Sequence, residues 1–313
     1  MIHNIVLSGG SIKGYSYLSL LRIIHEHPEM FKLRKLIGSS IGAIFALIIN
    51  LGLDYDIIKE KLIHKNLSEL RNINLNNILQ FANKYGIDDG TPIMQYVSEF
   101  VVEKYNKTSI TFKELYDLTN IDLIITGTCL NTSKTTYFSH LTYPDMMVLS
   151  AIRISISIPY YFIPVSYNDC LYVDGAVTDN FPIQLCKDEL DDTLGIYLLD
   201  TSEVSTEING WEDYISKIFY TSTGNRDLNK LNHHKPYCAV ISFSEHISLL
   251  KNYTEFQKME WLDSSYKVLM DALTNRPKKE EIDEDNNKTK DLEEKLMEHM
   301  KMFFKNYNIE NNN

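Results

Sequence analysis

The chain has 313 residues, a formal net charge of −11 and a pI near 5.3, which argues against nucleic acid as a partner. Its four cysteines form no Cys-x-x-Cys motif and no Cys/His cluster, which argues against a structural zinc and indicates free thiols in a reducing compartment. The N-terminus lacks the features of a signal peptide, and the longest apolar run, IGAIFALIINLGL, is too short to span a bilayer. We therefore expect a cytoplasmic protein that is not secreted.

The first half of the chain begins with strands and helices in alternation. NIVLSG (4–9) predicts a strand, and the spacing over 14–26 predicts a helix that stops before Pro28. LRKLIG (33–38) predicts a second strand, and 41–51 a helix that is apolar all round. Further helices are predicted over 54–65, 68–84 and 90–105.

The second half continues the pattern and ends in a charged tail. Strands are predicted at 122–130, 136–140, 171–175, 193–200 and 237–243, with a helix over 145–153. Strands that alternate with helices predict an α/β domain with a largely parallel sheet. From residue 276 the composition becomes charged, and apolar residues at helical spacing predict an amphipathic helix that docks on its own domain or on a membrane or partner: Leu292, Leu296, Met300, Phe303 and Phe304.

The glycine-rich stretch SGGSIKG (8–14) lies between the first strand and the first helix. Gly9 and Gly14 have the spacing of a phosphate-binding loop, but Tyr15 stands where that loop needs lysine. Ser11 stands where a dinucleotide-binding fingerprint needs its third glycine. Both nucleotide interpretations therefore fail, which leaves an anion site at a helix N-terminus or a plain structural turn.

A G-x-S-x-G motif follows the second predicted strand as Gly38-Ser39-Ser40-Ile41-Gly42. In this setting a sharp turn between strand and helix lifts a serine hydroxyl out of the sheet. Position within the motif selects Ser40 rather than Ser39 as the nucleophile. The alternative is a turn with a structural role only.

A serine nucleophile at neutral pH needs a base, and two kinds of residue are available. His233, His234 and His246 come late in the chain, as in an ordinary α/β-hydrolase, but their polar surroundings predict surface residues. Asp174 directly follows the apolar strand LYV, with Gly175 behind it. A carboxylate at the carboxyl end of a strand lies where α/β sheets form ligand sites.

Together these stretches resemble the patatin-like phospholipase family. SGGSIKG stands in place of its D-G-G-G-x-[KR]-G motif, GSSIG matches its nucleophile turn, and DGA (174–176) matches its D-G-[GA] motif. AIRISISIPYYFIPV (151–165) is similar to its Ala-x-Arg-x-Ser segment, and DGAVTDNFP continues through Asn180 and Pro182 as the family's motif does. Motif order and spacing agree over residues 4–200, with the core expected to be completed by 201–275.

The resemblance implies a three-layer α/β fold and a serine acyl hydrolase with a Ser–Asp dyad. Ser40 would be the nucleophile and Asp174 the base, and the backbone N–H groups of Gly9, Gly10 and Ser11 would form the oxyanion hole. The chemistry would need no metal or other cofactor. Other positions match the family's motifs in supporting roles: Lys13, Gly14, Gly38, Gly42, Arg153, Gly175 and Ala176. Ser8 and Ser11 depart from the motif, since the family has Asp and Gly there.

The expected substrate is a fatty-acyl ester of a phospholipid or other lipid, cleaved by a phospholipase A or lysophospholipase. Three alternatives remain open: a lipid acyltransferase with the same dyad, a catalytically weak relative that binds lipid or a partner, and a Ser–His hydrolase. Because a lipid enzyme must reach its substrate, peripheral contact with membranes is expected. The sequence indicates no oligomeric state, head group or acyl-chain length.

Overall fold

The computed structural model describes residues 1–73, 75–201, 208, 210–245, 247 and 251–276. Within them, eight strands join in one sheet: β1 (Ile2–Leu7), β2 (Phe31–Gly38), β3 (Asp122–Cys129), β4 (Lys134–Phe138), β5 (Val165–Tyr167), β6 (Cys170–Asp174), β7 (Thr193–Asp200) and β8 (Cys238–Phe243). The helices are α1 (Leu18–Glu26), α2 (Ile41–Leu51), α3 (Tyr55–His64), α4 (Leu75–Leu79), α5 (Phe81–Lys84), α6 (Thr91–Tyr105), α7 (Phe112–Thr119), α8 (Val148–Ser155), α9 (Ala176–Asp179), α10 (Trp211–His233) and α11 (Glu255–Thr274).

The sheet is mostly parallel. Its strand order is β5-β6-β3-β2-β1-β7-β8, with β4 paired to β3. The five strands from β3 to β8 in this order run parallel, whereas β4, β5 and β6 are antiparallel to their neighbours. The carboxyl ends of the five parallel strands therefore meet at one edge, where α/β folds place their ligand sites.

Apolar side chains cover both faces of the sheet. Along β1, Ile5 and Leu7 join the large core cluster, whereas Val6 points to the other face and packs with Phe181 and Leu231. Such alternation is the period-two pattern of a strand buried on both sides. The predicted α/β fold, a central and mostly parallel sheet flanked by helices, is confirmed.

The antiparallel strand β6 follows β2 along the same edge of β3. β4 pairs with residues 125–129 of β3, β6 pairs with residues 127–129, and β2 pairs with residues 122–125. Because β4 overlaps both of the others, it must take one edge of β3, and β2 and β6 share the opposite edge. The end of β6 is thereby brought against the turn that follows β2.

One predicted helix divides into several elements, and five elements were not predicted: α7, α9, α10, α11 and β5. Residues 68–84 form a 3₁₀ turn at Leu67–Leu70 and the short helices α4 and α5 instead of one helix. Four asparagines between residues 72 and 77 explain the break, because their side chains compete for backbone hydrogen bonds. Helix α7 carries a clear signal, since Thr111 and Glu114 form a capping box at its start, whereas β5 has only three residues.

Residues Met1–Leu273 form one compact unit. The charged tail and its predicted amphipathic helix lie outside the described residues from position 277 onward. In the part of the chain that is described, no helix has the length and apolarity needed to cross a membrane.

Candidate active site

The turn between β2 and α2 presents Ser40 in a conformation that a serine rarely adopts. Ser40 has φ 52° and ψ −125°, and it directly precedes the first turn of α2. Gly38 and Gly42 pack so closely that a Cβ on Gly38 would lie 2.4 Å from the Gly42 carbonyl oxygen. A Cβ on Gly42 would lie 2.4 Å from the Leu7 carbonyl oxygen. Only glycine fits at both positions, so the motif fixes a tight turn.

Asp174 accepts a hydrogen bond from the Ser40 hydroxyl. Ser40 Oγ donates to Asp174 Oδ2 over 2.8 Å, and both side chains are buried. The other carboxylate oxygen, Oδ1, accepts the N–H of Ala176 over 2.8 Å. Gly175 allows this turn, because a Cβ there would collide with Thr126. The structure thus brings the two expected catalytic residues together and orients the carboxylate from both sides.

Burial shifts the protonation equilibrium of Asp174. Loss of solvent raises the pKa of its carboxyl from 3.8 to about 7, and the hydrogen bonds from Ala176 and Ser40 offset only part of this shift. A carboxylate with a pKa near neutrality can accept a proton at physiological pH, which an ordinary aspartate does poorly.

The end of α8 and the loop after it brace both residues. The Ser40 N–H donates to Ser155 Oγ over 2.9 Å, and the Asp174 N–H donates to the Ser157 carbonyl oxygen over 2.9 Å. Thr128 Oγ1 donates to the Asp174 carbonyl oxygen. Neither the serines nor the threonine had been assigned a role from sequence. Ser155 is the serine of the Ala-x-Arg-x-Ser segment, so that motif was the available signal.

The glycine-rich loop is anchored to the end of β7. The Leu198 N–H donates to Ser8 Oγ over 3.0 Å, and the buried Lys13 ammonium pairs with Asp200 over 2.6 Å. The serine at position 8 therefore still fixes the loop where the family has Asp. Gly14 packs against the Ile41 side chain at the start of α2. These contacts give Lys13 and Gly14 structural roles.

Gly9 lies directly beside Ser40. A Cβ on Gly9 would lie 2.9 Å from the Ser40 Cβ. The Gly9 N–H donates to Asn180 Oδ1 over 2.9 Å, so a protein acceptor already occupies it. Gly10 and Ser11 stand at the N-terminal end of a 3₁₀ helix at Ser11–Tyr17, where the helix itself offers their N–H groups no acceptor.

Ser11 is the irregular residue of this loop. Its φ of 54° is one that glycine adopts freely and serine does not. Its Oγ is buried, and no hydrogen-bond partner is found for it among the described residues. The backbone thus keeps the glycine-like conformation of the motif although the side chain differs.

Arg153 holds the loops around the site rather than the reacting groups. Its guanidinium donates to the carbonyl oxygens of Asp89 and Ile163 and to Ser157 Oγ. Burial lowers the pKa of the guanidinium to about 10. This arginine therefore connects the segment before α6 with the loop after α8.

Two of the three histidines that could act as alternative bases are described by the structure, and both lie away from Ser40. His233 is the last residue of α10 rather than a loop residue, and His234 follows it, just before β8 begins. Since β8 runs parallel to β2, both lie toward the edge of the sheet opposite Ser40. His246 lies outside the described residues. Among the described side chains, no three of His, Cys, Asp or Glu are grouped to hold a metal.

Comparison with known sequences gives a consistent result. The family model described as patatin-like phospholipase matches residues 5–187. The uncharacterized protein R571 of Acanthamoeba polyphaga mimivirus is 27% identical over 270 residues, which cover 83% of this chain and 90% of that protein. The probable lipid hydrolase 463L of Invertebrate iridescent virus 6 is 32% identical over 184 residues, 58% of this chain and 62% of that protein.

Two solved structures share the fold. VipD from Legionella pneumophila matches with a TM-score of 0.55 at 16% identity, over 88% of this chain and 67% of that one. The type III effector protein ExoU of Pseudomonas aeruginosa matches with a TM-score of 0.53 at 14% identity, over 88% of this chain and 53% of that one. The family model covers more than half of the chain, including the glycine-rich loop, the nucleophile turn and the D-G-A turn. The chain therefore belongs to the patatin-like phospholipase family of lipid hydrolases.

Proposed function

We propose that this chain is a serine acyl hydrolase of phospholipase A or lysophospholipase type, which cleaves fatty-acyl esters of phospholipids. The observation that carries the proposal is the buried 2.8 Å hydrogen bond from Ser40 Oγ to Asp174 Oδ2 at the strained turn. A nucleophile within hydrogen-bond reach of its base is the arrangement that covalent acyl transfer requires.

The dyad supports a two-step reaction. Ser40 Oγ attacks the ester carbonyl carbon while Asp174 takes the hydroxyl proton. The tetrahedral intermediate then collapses, the ester C–O bond breaks, and the departing alcohol oxygen receives that proton from Asp174. Water next attacks the acyl-enzyme and gives a proton to Asp174. Collapse releases the fatty acid, and the proton returns to Ser40 Oγ.

The negative charge that develops on the carbonyl oxygen needs fixed donors. We assign this role to the N–H groups of Gly10 and Ser11, since the Gly9 N–H has Asn180 as its acceptor. In comparable enzymes the loss of one such donor costs about 3–4 kcal/mol of transition-state stabilisation. Gly9 then serves as a spacer that lets the loop lie against Ser40.

The relatives favour lipid esters over other acyl compounds. The family model is described as patatin-like phospholipase, and the iridescent virus relative is named a probable lipid hydrolase.

The proposal is tested with a short-chain nitrophenyl ester and a fluorophosphonate probe. Ser40→Ala should lower kcat by at least about a thousandfold and abolish labelling, and Asp174→Asn should lower kcat by a similar factor. Ser39→Ala is the matched control, because the Oγ of this adjacent serine is buried and has no hydrogen-bond partner among the described residues. It should keep kcat within a few-fold. Labelling or turnover that survives Ser40→Ala would exclude the proposed nucleophile.

The same assay with labelled phospholipid separates hydrolysis from transfer. Free fatty acid as the main product in the presence of an acceptor lysolipid or alcohol supports a hydrolase. Acylated acceptor as the main product would instead favour a lipid acyltransferase with the same dyad.

A further inference from the structure

An exposed apolar surface lies on the segment between α3 and α6, which the proposed chemistry does not use. Leu75 is 77% exposed and Leu79 83% exposed, and with Ile78 they follow the i, i+3, i+4 spacing of one helix face. Apolar side chains with more than a third of their surface exposed continue along α5. This apolar patch consists of Ile73, Leu75, Ile78, Leu79, Phe81 and Tyr85. A surface helix normally turns such a face toward a core.

The charge around the apolar patch differs from that of the whole molecule. The chain has a net charge of −11, yet residues 71–85 contain Arg71 and Lys84 and no aspartate or glutamate. Apolar side chains with lysine, arginine and tyrosine beside them match the layers of a lipid surface, where rings and long cationic side chains lie at the head groups. Of the acidic residues that follow the segment, Asp88 is buried and Asp89 accepts a hydrogen bond from the Asn72 side chain.

Hydrogen bonds fasten the base of the apolar patch. Asp88 is fully buried, and its carboxylate accepts the N–H groups of Asn72 over 2.8 Å and Gly90 over 2.7 Å. The Asp88 N–H donates to the Tyr161 carbonyl oxygen, and the Ile163 N–H donates to the Asp88 carbonyl oxygen over 2.8 Å. The two ends of the patch segment are therefore tied to each other and to the loop at 161–163.

That loop leads directly back to the reacting residues. Arg153 donates from Nε to the Asp89 carbonyl oxygen over 3.0 Å and from Nη2 to the Ile163 carbonyl oxygen over 2.7 Å. Ser155 and Ser157, in the same stretch, accept the backbone N–H groups of the proposed nucleophile and base. The apolar patch thus projects from the loops that brace the site.

We propose that the apolar patch is the surface by which this protein docks on a phospholipid bilayer, from which the acyl chain enters the site at Ser40. The proposal rests on the lipid ester substrate proposed above. The patch residues enter the acyl region, and Arg71 and Lys84 lie at the level of the phosphates.

The test measures co-sedimentation of the full chain with phosphatidylcholine vesicles. The double variant Leu75→Ser/Leu79→Ser should bind these vesicles more weakly, by about tenfold for each leucine removed from the acyl region. The matched control is Leu118→Ser/Leu141→Ser, because these leucines are 58% and 76% exposed. They flank the amino end of β3, away from the site, and their replacement should leave vesicle binding unchanged. A thermal melt of both variants checks that they are folded.

Two further arms separate this proposal from the proposed function. Ser40→Ala should bind vesicles as the wild type does. A wild type that binds vesicles but hydrolyses no ester would refute the proposed chemistry and still support the docking surface. Leu75→Ser/Leu79→Ser should hydrolyse a soluble short-chain ester normally and vesicle phospholipid slowly. Undiminished vesicle binding by that variant would overturn the proposal. So would a wild-type dimer that the variant converts to monomer, because a second copy would then cover the patch.

Discussion

Ser40 illustrates how a residue can be selected against its local preference. A serine directly before a helix commonly caps it by accepting a backbone N–H, but Ser40 makes no such bond and donates to Asp174 instead. Its φ of 52° with ψ of −125° lies in a region that costs a non-glycine residue about 1–3 kcal/mol. The proposed chemistry, rather than local stability, accounts for a serine at this position.

The pKa of Asp174 predicts the pH dependence of the reaction. Burial raises this pKa to about 7, and only the ionised carboxylate can take the Ser40 proton. The value of kcat/KM for a short-chain ester should therefore rise with pH, fall about tenfold per unit well below the pKa, and level off above it.

The measurement is a pH profile of kcat/KM for a soluble, uncharged ester, with the rate of fluorophosphonate labelling recorded in parallel. Both profiles should give the same apparent pKa, since both report the free enzyme. A profile that is flat between pH 5.5 and 8, or that breaks near the ordinary aspartate value of about 4, would contradict the role given to burial.

At the scale of elements, α10 supports the site although it lies beyond the residues that the family model matches. The Arg226 guanidinium donates to the carbonyl oxygens of Ala176 and Val177, in the turn after Asp174. Burial raises the pKa of the Asp227 carboxyl, and the neighbouring Arg226 and Asn180 side chains offset part of this shift. Asn180, which directly follows α9, accepts the Gly9 N–H and so holds the glycine-rich loop.

Replacing Asn180 should therefore weaken catalysis without removing a reacting group. In Asn180→Ala the Gly9 N–H loses its acceptor and the loop shifts, so we expect kcat to fall about tenfold to a hundredfold with little change in KM. Asn50→Ala is the matched control, because this buried asparagine also makes a side-chain-to-backbone hydrogen bond, donating to the Ile121 carbonyl oxygen at the far end of α2. It should lower stability and leave kcat unchanged. Equal effects of the two variants on kcat would mean that Asn180 acts through stability alone.

Elements with a strong local signal could be predicted from sequence. Helix α2 at Ile41–Leu51 and strand β7 at Thr193–Asp200 begin and end where the sequence predicts, because each is a continuous apolar run with clear boundaries. The three-residue strand β5 was missed, since its only strand partner among the described residues is β6. The single helix predicted over 68–84 is not formed, because apolar spacing alone does not account for asparagine side chains that compete for backbone hydrogen bonds.

The two proposed catalytic residues lie within motifs that the sequence marks, whereas the residues that support them from a distance carry no such mark. Ser40 and Asp174 were located by the motifs around them, although their contact depends on β2 and β6 sharing one edge of β3. Asn180 and Gly9 are 171 positions apart, and nothing local to either predicts their hydrogen bond. Long-range pairing is set by the tertiary fold, which a periodic pattern does not encode.

At the scale of the whole molecule, the parallel sheet sets the position of the site, and the net charge limits electrostatic attraction to a membrane. The sheet places the loops after β1 and β2 at one edge, where the dyad lies. The net charge of −11 makes attraction to a bilayer through overall charge ineffective. Under the docking role proposed for the apolar patch, membrane affinity is therefore expected to come from that local apolar surface.

Because the proposed docking depends on apolar burial rather than on charge, it predicts how salt acts on membrane binding. Raising NaCl from about 0.1 M to about 1 M shortens the screening length from about 10 Å to about 3 Å. Binding to phosphatidylcholine vesicles should persist, because burial of Leu75 and Leu79 does not depend on screening. The loss caused by Leu75→Ser/Leu79→Ser should also be of the same size at both salt concentrations. Co-sedimentation of wild type and variant measures both quantities. Release of the wild type at the higher salt concentration would show instead that Arg71, Lys84 and other charges supply the affinity, since only a screened interaction weakens in this way.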